Sequence, residues 1–313
     1  MGFVFMKKNG ISIRARILRI MIAWLSPLNT AKIIASSGEN GKKISETSWK
    51  CPEGFRVTGI ENENFYMELL ESRKNLYHLV ILQLHGGGYV GTMTKAHRST
   101  AVLYSEIAKG ASVLTIDYRV APKYTYPAAL EDALYSYKWL LEHGFKEEEI
   151  IVAGDSAGAG LGLALCMYLR DHKRKLPKGI VCMSPWTDLT ATGASYTENY
   201  EVDPLFGKNR NNLVYDSAYI GENDPKAPYI SPSFGDFTGF PPMLIQVGSL
   251  EMLLSDSYTV AEKARSQGVK VRLSEYKGMF HVFQRAMLRM PESKRAWKEV
   301  EKFIEKLIEI EKP

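Results

Sequence analysis

The chain has 313 residues, of which 45% are apolar and 24% are charged. These are ordinary values for a globular protein, so they exclude wholesale disorder and allow a large buried core. The formal charge of +5 is thinly spread apart from a few basic residues near the N-terminus, which excludes the concentrated basic face that nucleic-acid binding requires.

The first predicted element is an amphipathic helix at about 13–25. Its apolar run is interrupted by Arg19, and no small-residue cleavage site follows, so a secretory signal is not predicted. No stretch reaches the roughly 20 apolar residues that span a bilayer, so we expect no stable membrane insertion. The three cysteines, Cys51, Cys166 and Cys182, predict neither a disulfide framework nor a zinc site. Reduced thiols favour a cytoplasmic protein.

From about residue 65, short apolar runs alternate with longer helical patterns. This alternation predicts the α/β class, with right-handed crossovers and a mainly parallel sheet that carries helices on both faces. The predicted strands lie at 65–70, 79–84, 112–118, 150–154, 179–183, 243–247 and 269–275. The predicted helices lie at 97–109, 128–143, 157–172, 255–267 and 292–311.

Two regions break this alternation. Residues 1–50 carry the first helix and a polar stretch, and residues 186–240 hold far more chain than a simple crossover needs. We interpret both regions as a helical cap over the carboxyl ends of the strands, with residues 51–185 and 241–313 forming the core. The alternative is an N-terminus docked on the surface together with a long peripheral insertion.

A G-x-S-x-G motif lies at 154–158, directly after an apolar strand and directly before a helix. Strand, tight turn and helix form the context of a nucleophile elbow. Small residues beside Ser156 give the turn room, and the N–H groups of the helix N-terminus favour negative charge. The motif predicts Ser156 as a nucleophile. The alternative is a glycine-rich turn whose serine only caps the helix.

His85 and three glycines, at 86–88, follow another predicted strand. Glycine costs conformational entropy, but it lets backbone N–H groups approach a substrate without a Cβ in the way. In lipases and esterases such a segment forms the oxyanion hole together with the N–H after the nucleophile. We therefore predict Gly87, Gly88 and Ala157 as donors, against the alternative of a flexible glycine loop. His85 is predicted to order this loop.

The base and the acid must follow Ser156 along the chain. His172 lies among charged residues at a helix end, whereas His281 lies in a loop after a predicted strand, so His281 is the predicted base. Glu251 and Asp256 compete as the acid. Glu251 lies closer to its strand end, and Asp256 is more typical of a first helical turn, where the helix dipole stabilises it. The order Ser156, Glu251, His281 is that of α/β-hydrolases, with Asp256 as the alternative acid.

Together these residues resemble the hormone-sensitive-lipase-like esterases, bacterial family IV, over about 78–284. Many members carry Asp-Pro-Leu at the acid position, and this chain has Glu251 there, so it resembles the subgroup in which Glu replaces Asp. The resemblance implies an α/β-hydrolase fold, carboxylesterase activity on short acyl esters, no cofactor or metal, and a cap built from the N-terminus and the insertion. A homodimer through a sheet edge is a further expectation. The blocks that carry the resemblance lie at 85–89, 117–122, 126–132, 154–158 and 279–283.

The predicted function is therefore hydrolysis of small-molecule esters with short acyl chains, acetyl esters included. One alternative is an amidase or peptidase on the same fold, since the same triad serves either leaving group. A non-catalytic small-molecule receptor is disfavoured because the triad residues are retained. A lipase that docks to lipid through the helix at 13–25 is another alternative, but we prefer a cap helix that buries its apolar face over the site.

Overall fold

The computed structural model describes residues 10–35, 43, 47–209 and 212–309. Much of the predicted N-terminal cap, residues 1–9, 36–42 and 44–46, therefore lies outside the described residues. Within the described part, eight strands form one sheet in the order β1-β2-β4-β3-β5-β6-β7-β8. The strands are β1 Phe55–Glu61, β2 Tyr66–Ser72, β3 Val80–Leu84, β4 Ser112–Asp117, β5 Ile150–Asp155, β6 Gly179–Met183, β7 Met243–Gly248 and β8 Val271–Tyr276.

The predicted α/β class is confirmed. β2 pairs antiparallel with β1 and β4, and all other neighbouring strands are parallel. Every residue of β3 and β6 is buried, as expected for central strands covered on both faces, which read as continuous apolar runs. β1 was not predicted, because it is an edge strand whose residues are mostly exposed or half-buried, and its apolar pattern is weak.

Helices cover both faces of the sheet. Along β3, Leu82 packs in a core cluster with residues of α3 and α4, and its neighbour Ile81 packs in a second cluster with residues of α2 and α7. Successive side chains of a strand point to opposite faces, so the two clusters lie on the two sides of the sheet. The helices are α1 Ile13–Ala35, α2 Lys95–Ile107, α3 Ala128–Glu142, α4 Ala157–Asp171, α5 Ser195–Glu198, α6 Leu254–Ser266 and α7 Pro291–Glu309.

The predicted helices agree with these bounds to within two residues at each end, except that α1 continues to Ala35. The insertion at 186–240 contains α5, a 3₁₀ turn at Pro232–Phe234 and mostly turns elsewhere in its described residues. Among the described helices, none combines the length and the apolar content needed to cross a bilayer.

Candidate active site

Ser156 occupies the sharp turn between β5 and α4. Its φ of 54° is in the left-handed region, a strained conformation for a residue with a side chain. The turn closes only because its neighbours are small: a Cβ on Gly154 would lie 2.5 Å from the carbonyl carbon of Gly158. A Cβ on Gly158 would overlap the carbonyl oxygen of Leu84. Gly154 is thus required by the tightness of the turn itself, and Gly158 by the packing of the elbow against β3.

His281 joins the serine to a carboxylate. Its Nε2 lies 2.9 Å from Ser156 Oγ, and its Nδ1 lies 2.9 Å from Glu251 Oε2. The carboxylate beside Nδ1 favours the tautomer in which Nδ1 donates and Nε2 is free to accept the serine proton. Ser156 is 6% exposed, His281 8% and Glu251 0%. Because the three residues are buried, solvent screens the electrostatic interactions between their side chains only weakly.

Glu251 is held in the loop after β7 by partners on both carboxylate oxygens. Oε2 faces His281, while Oε1 accepts hydrogen bonds from the Ser184 hydroxyl at 2.7 Å and from the Gly248 N–H. A buried carboxylate without such partners would carry a large desolvation penalty. The loop itself is fixed by Asn199 of the insertion, whose amide donates to the Glu251 carbonyl at 2.8 Å.

Ser184 was not identified from the sequence. It follows β6 directly, with a φ of 49°, and its hydroxyl also accepts the N–H of Val282 at 3.0 Å. The side chain thus ties the acid to the loop that carries His281. No motif marks it; its only signal is its position at the carboxyl end of a central strand, where ligand sites of α/β sheets collect.

Ser184→Ala is expected to lower kcat by about 10- to 100-fold with little change in KM, because a hydrogen bond to a charged group is worth about 1.5–3 kcal/mol. Steady-state kinetics with p-nitrophenyl acetate would measure the effect. Ser105, a buried serine of α2, gives the matched control, and Ser105→Ala should leave kcat unchanged. A rise in KM with unchanged kcat would contradict the role assigned to Ser184.

Asp256 lies away from His281, in the first turn of α6, and is 2% exposed. Its Oδ2 accepts the N–H groups of Thr187 at 2.7 Å and Asp188 at 2.9 Å. Burial raises the pKa of Asp256 to about 8, against the two backbone hydrogen bonds that lower it, and nearby Asp188 adds to the rise. From the sequence we expected a carboxylate stabilised by the helix dipole. The structure instead shows a buried carboxyl group that anchors the start of the insertion.

The raised pKa predicts a pH-dependent stability. Between about pH 4 and pH 8 the folded protein holds the Asp256 proton and the unfolded chain does not. The contribution of this proton to the free energy of unfolding is therefore complete below pH 4 and is lost as pH rises through about 8. Asp256→Asn keeps an acceptor oxygen and cannot ionise. Urea unfolding at about pH 5 and pH 8 should therefore show a smaller loss of stability in the variant than in the wild type. Equal losses in both proteins would contradict this prediction.

The glycine loop after β3 presents backbone donors. Gly87 and Gly88 have φ values of 133° and 64°, which a residue with a side chain adopts only under strain. A Cβ on Gly88 would also lie 2.5 Å from Leu213 Cδ1. Within the part of the chain that the structure describes, no acceptor takes the N–H of Gly87, Gly88 or Ala157. These three groups, all beside the elbow or in the adjacent loop, are available to an anionic ligand.

His85 is fully buried behind this loop. Its ring stacks on Tyr118 with centroids 4.2 Å apart, and its Nδ1 lies 2.8 Å from the carbonyl oxygen of Gly86. Gly86 in turn donates its N–H to Asp155 of the elbow at 3.2 Å. These contacts order the glycine loop and leave His85 without a contact to Ser156. His172, at the end of α4, is exposed.

The insertion contacts the site directly. The Phe206 ring lies 4.9 Å from the His281 ring, and Leu213 covers Gly88. Asp203 accepts the N–H of Met252, next to the acid, at 2.8 Å. These are contacts that a cap would make, and the division of the chain into cap and core stays a prediction.

Helix α1 packs beside the loop that carries His281. Its side chains Ala15, Leu18 and Ile22 share a cluster with Met279 and Phe280. A second apolar stripe of the same helix is exposed, which differs from the expectation of one apolar face buried over the site. Among the described residues, no three histidine, cysteine, aspartate or glutamate side chains converge as metal ligands.

The chain is similar to known proteins in sequence and in fold. The sequence model of the α/β-hydrolase fold matches residues 81–285. An acetyl-hydrolase of Streptomyces hygroscopicus is 40% identical over 216 residues, 69% of this chain and 72% of that protein. An esterase of Acinetobacter venetianus is 36% identical over 251 residues, 80% of each chain. The crystal structure of an esterase from the bacterial hormone-sensitive lipase family superposes with a TM-score of 0.80 at 34% identity, covering 96% of this chain and 100% of that one. With the elbow, the glycine loop and the ordered sequence blocks, these matches show that the chain belongs to the hormone-sensitive-lipase-like branch of the α/β-hydrolase family.

Proposed function

We propose that the protein is a serine carboxylesterase that cleaves short-chain acyl esters, acetyl esters among them, through an acyl-enzyme intermediate. The observation that carries the proposal is the continuous line of contacts from Ser156 through His281 to Glu251, each 2.9 Å long. The names of the two relatives, acetyl-hydrolase and esterase, support ester hydrolysis.

Acylation begins at the elbow. His281 Nε2 takes the Ser156 proton as Oγ attacks the ester carbonyl carbon, and the resulting imidazolium is stabilised by Glu251. Negative charge develops on the carbonyl oxygen, to which the N–H groups of Gly87, Gly88 and Ala157 would donate hydrogen bonds. One such donor is worth about 3 kcal/mol in the transition state. The sharp turn at Ser156 holds Oγ 2.9 Å from His281 Nε2, the atom that takes its proton.

The acyl-enzyme forms when the tetrahedral intermediate collapses. His281 gives its proton to the leaving alcohol, and the ester C–O bond breaks. A water molecule then enters, His281 takes one of its protons, and the hydroxide attacks the acyl carbon. Collapse of the second intermediate returns the proton to Ser156 and releases the acid. Glu251 keeps the imidazole oriented throughout and does not itself take the proton.

The preference for short acyl chains is supported by the side chains around the site. Phe206 packs on the His281 ring, and Leu213 lies over Gly88, so bulky groups of the insertion crowd the reacting atoms. Tyr89 directly follows Gly88, and its ring stacks on that of Tyr219 with centroids 3.9 Å apart. Both rings are almost fully buried. We therefore expect short acyl chains to be preferred over long ones.

A panel of p-nitrophenyl esters from acetate to decanoate tests the proposal. We expect kcat/KM to be highest for acetate and butyrate and to fall with longer chains. A matched p-nitroanilide distinguishes the alternative of an amidase or peptidase, because the triad could serve either leaving group. Faster turnover of the anilide than of the acetate ester would overturn the esterase assignment.

We also propose a cytoplasmic location and a homodimer through the sheet edge. The three cysteines are unpaired, and Cys166 and Cys182 are buried, as expected for reduced thiols. β8 lies at one edge of the sheet, where a second copy could extend it. Sedimentation velocity would measure the oligomeric state.

A further inference from the structure

Helix α1 is apolar on two opposite faces. At about 100° per residue, Ala15, Leu18 and Ile22 lie on one side of the helix. This side packs in a cluster with Met279 and Phe280, next to His281. Five large apolar residues lie on the other side and leave half or more of their surface exposed. They form the exposed stripe, which consists of Ile13 (75% exposed), Ile17 (53%), Ile20 (67%), Met21 (50%) and Trp24 (78%).

Packing of the described residues does not explain the exposed stripe. Scattered exposed apolar residues are ordinary on a protein surface, but a contiguous row that runs along three turns of one helix marks an interaction surface. The buried face of α1 already provides the contacts that hold the helix to the protein. The stripe must therefore be covered by something else or serve as a contact in its own right.

The charged residues of α1 that lie beside the exposed stripe are all basic. Arg14 and Arg16 are exposed and lie on its two borders, and Arg19 follows on the Arg16 side. The helix, Ile13–Ala35, contains no acidic residue. A row of apolar residues bordered by arginines, with an exposed tryptophan, is the pattern of helices that lie in the interface of an anionic bilayer. There the long arginine stems reach toward phosphate while the apolar row enters the acyl boundary.

We propose that the exposed stripe of α1 docks reversibly on an anionic lipid surface. A second copy of the chain is a weaker candidate for the occupant. In a two-fold contact the same face meets itself, and this would bring Arg14, Arg16 and Arg19 of one copy toward those of the other without an acidic residue of α1 between them. Lipid phosphates complement these arginines, whereas a second α1 repels them.

Docking would bring the lipid close to the site. The face of α1 opposite the stripe lies in the same apolar cluster as Phe280, the neighbour of His281, and a helix with its side chains is about 10 Å thick. The surface binding itself does not depend on the proposed esterase activity. It can therefore fail or succeed independently of that activity.

Sedimentation of the full chain with vesicles tests the proposal. Vesicles of equimolar phosphatidylcholine and phosphatidylglycerol should bind the protein, pure phosphatidylcholine should bind it more weakly, and added salt should reduce binding to the anionic vesicles. The variant Ile17→Ser/Ile20→Ser/Trp24→Ser should lose about 1,000-fold in vesicle affinity, since each of the three apolar side chains that leave water contributes roughly tenfold. Its turnover of water-soluble p-nitrophenyl acetate should be unchanged.

Two further variants keep the test decisive. Leu76→Ser/Tyr77→Ser removes exposed apolar side chains from the turn between β2 and β3, and this control should bind vesicles like the wild type. Arg16→Glu/Arg19→Glu leaves the apolar residues of the stripe intact. It tests vesicle binding independently if the triple variant does not fold. Reversing two charges should lower affinity for the anionic vesicles by at least about 20-fold, since each basic residue contributes about fivefold.

Four results would overturn the proposal. One is no binding of the wild type to the anionic vesicles, and another is an equal loss of binding in the Leu76/Tyr77 control. A third is a wild-type dimer that the triple variant converts to a monomer, which would make the stripe an interface between copies. The fourth concerns the fluorescence of Trp24, measured without lipid as the difference between wild type and Trp24→Phe. If iodide fails to quench this fluorescence, another segment of this chain covers the stripe.

Discussion

Replacing Ser156 with alanine is expected to lower kcat for p-nitrophenyl acetate by about a millionfold, to the background of the assay. The hydroxyl is the only atom of the proposed line of contacts that can form the acyl-enzyme, and neither His281 nor Glu251 can take its place. A fluorophosphonate probe should label the wild type at Ser156, as located by mass spectrometry of the digested protein. The variant should remain unlabelled.

The fold should survive this change. Ser156 Oγ contacts His281 Nε2, while the backbone N–H donates to Met183 and the backbone carbonyl accepts from Trp186, and alanine keeps both backbone contacts. The thermal midpoint should therefore shift little, so a loss of activity cannot be attributed to unfolding. Ser105→Ala is again the matched control. Labelling of another serine, or retention of a sizeable part of kcat, would show that the elbow is not the reactive centre.

Most of the fold follows from local sequence patterns. β3 and β6 are buried along their whole length, so their apolar runs are easy to recognise. Gly154 and Gly158 are required because the turn has no room for a Cβ at either position. β1 was missed because it is a largely exposed edge strand, and burial therefore imposes no clear apolar pattern on its sequence. The bounds of the central helices differ little between prediction and structure, because each helix starts and stops at a turn beside a strand.

The contacts that hold the site together were harder to predict. Ser184 reaches Glu251 across 67 positions of sequence, and no periodicity connects the two residues. The insertion is mostly turns, so nothing in its pattern indicates that Phe206 would pack on the His281 ring. For Asp256, the sequence places the residue in the first helical turn, but only the packing of the insertion shows that its carboxyl group is buried.

The two carboxyl groups are expected to differ sharply when each is removed. Glu251→Ala should lower kcat by about 10⁴-fold, because the imidazole loses the group that fixes its tautomer and stabilises its positive charge. Glu251→Gln keeps the volume of the side chain and should lose a similar factor, which separates the charge from the packing. Both variants should bind substrate with a nearly unchanged KM, since Glu251 is fully buried behind His281.

Asp256→Ala should act on stability instead of catalysis. It leaves both contacts of His281 in place and removes the acceptor for the N–H groups of Thr187 and Asp188. Each buried N–H left without a partner costs about 1–3 kcal/mol, so the variant should unfold at clearly lower urea concentration than Asp256→Asn, which keeps an acceptor. Because Asp256 anchors the insertion and Glu251 orients the base, kcat measured well below the unfolding transition should stay within about tenfold of the wild type for Asp256→Ala. The reverse ranking of kcat would show that Asp256, and not Glu251, supports His281 during the reaction.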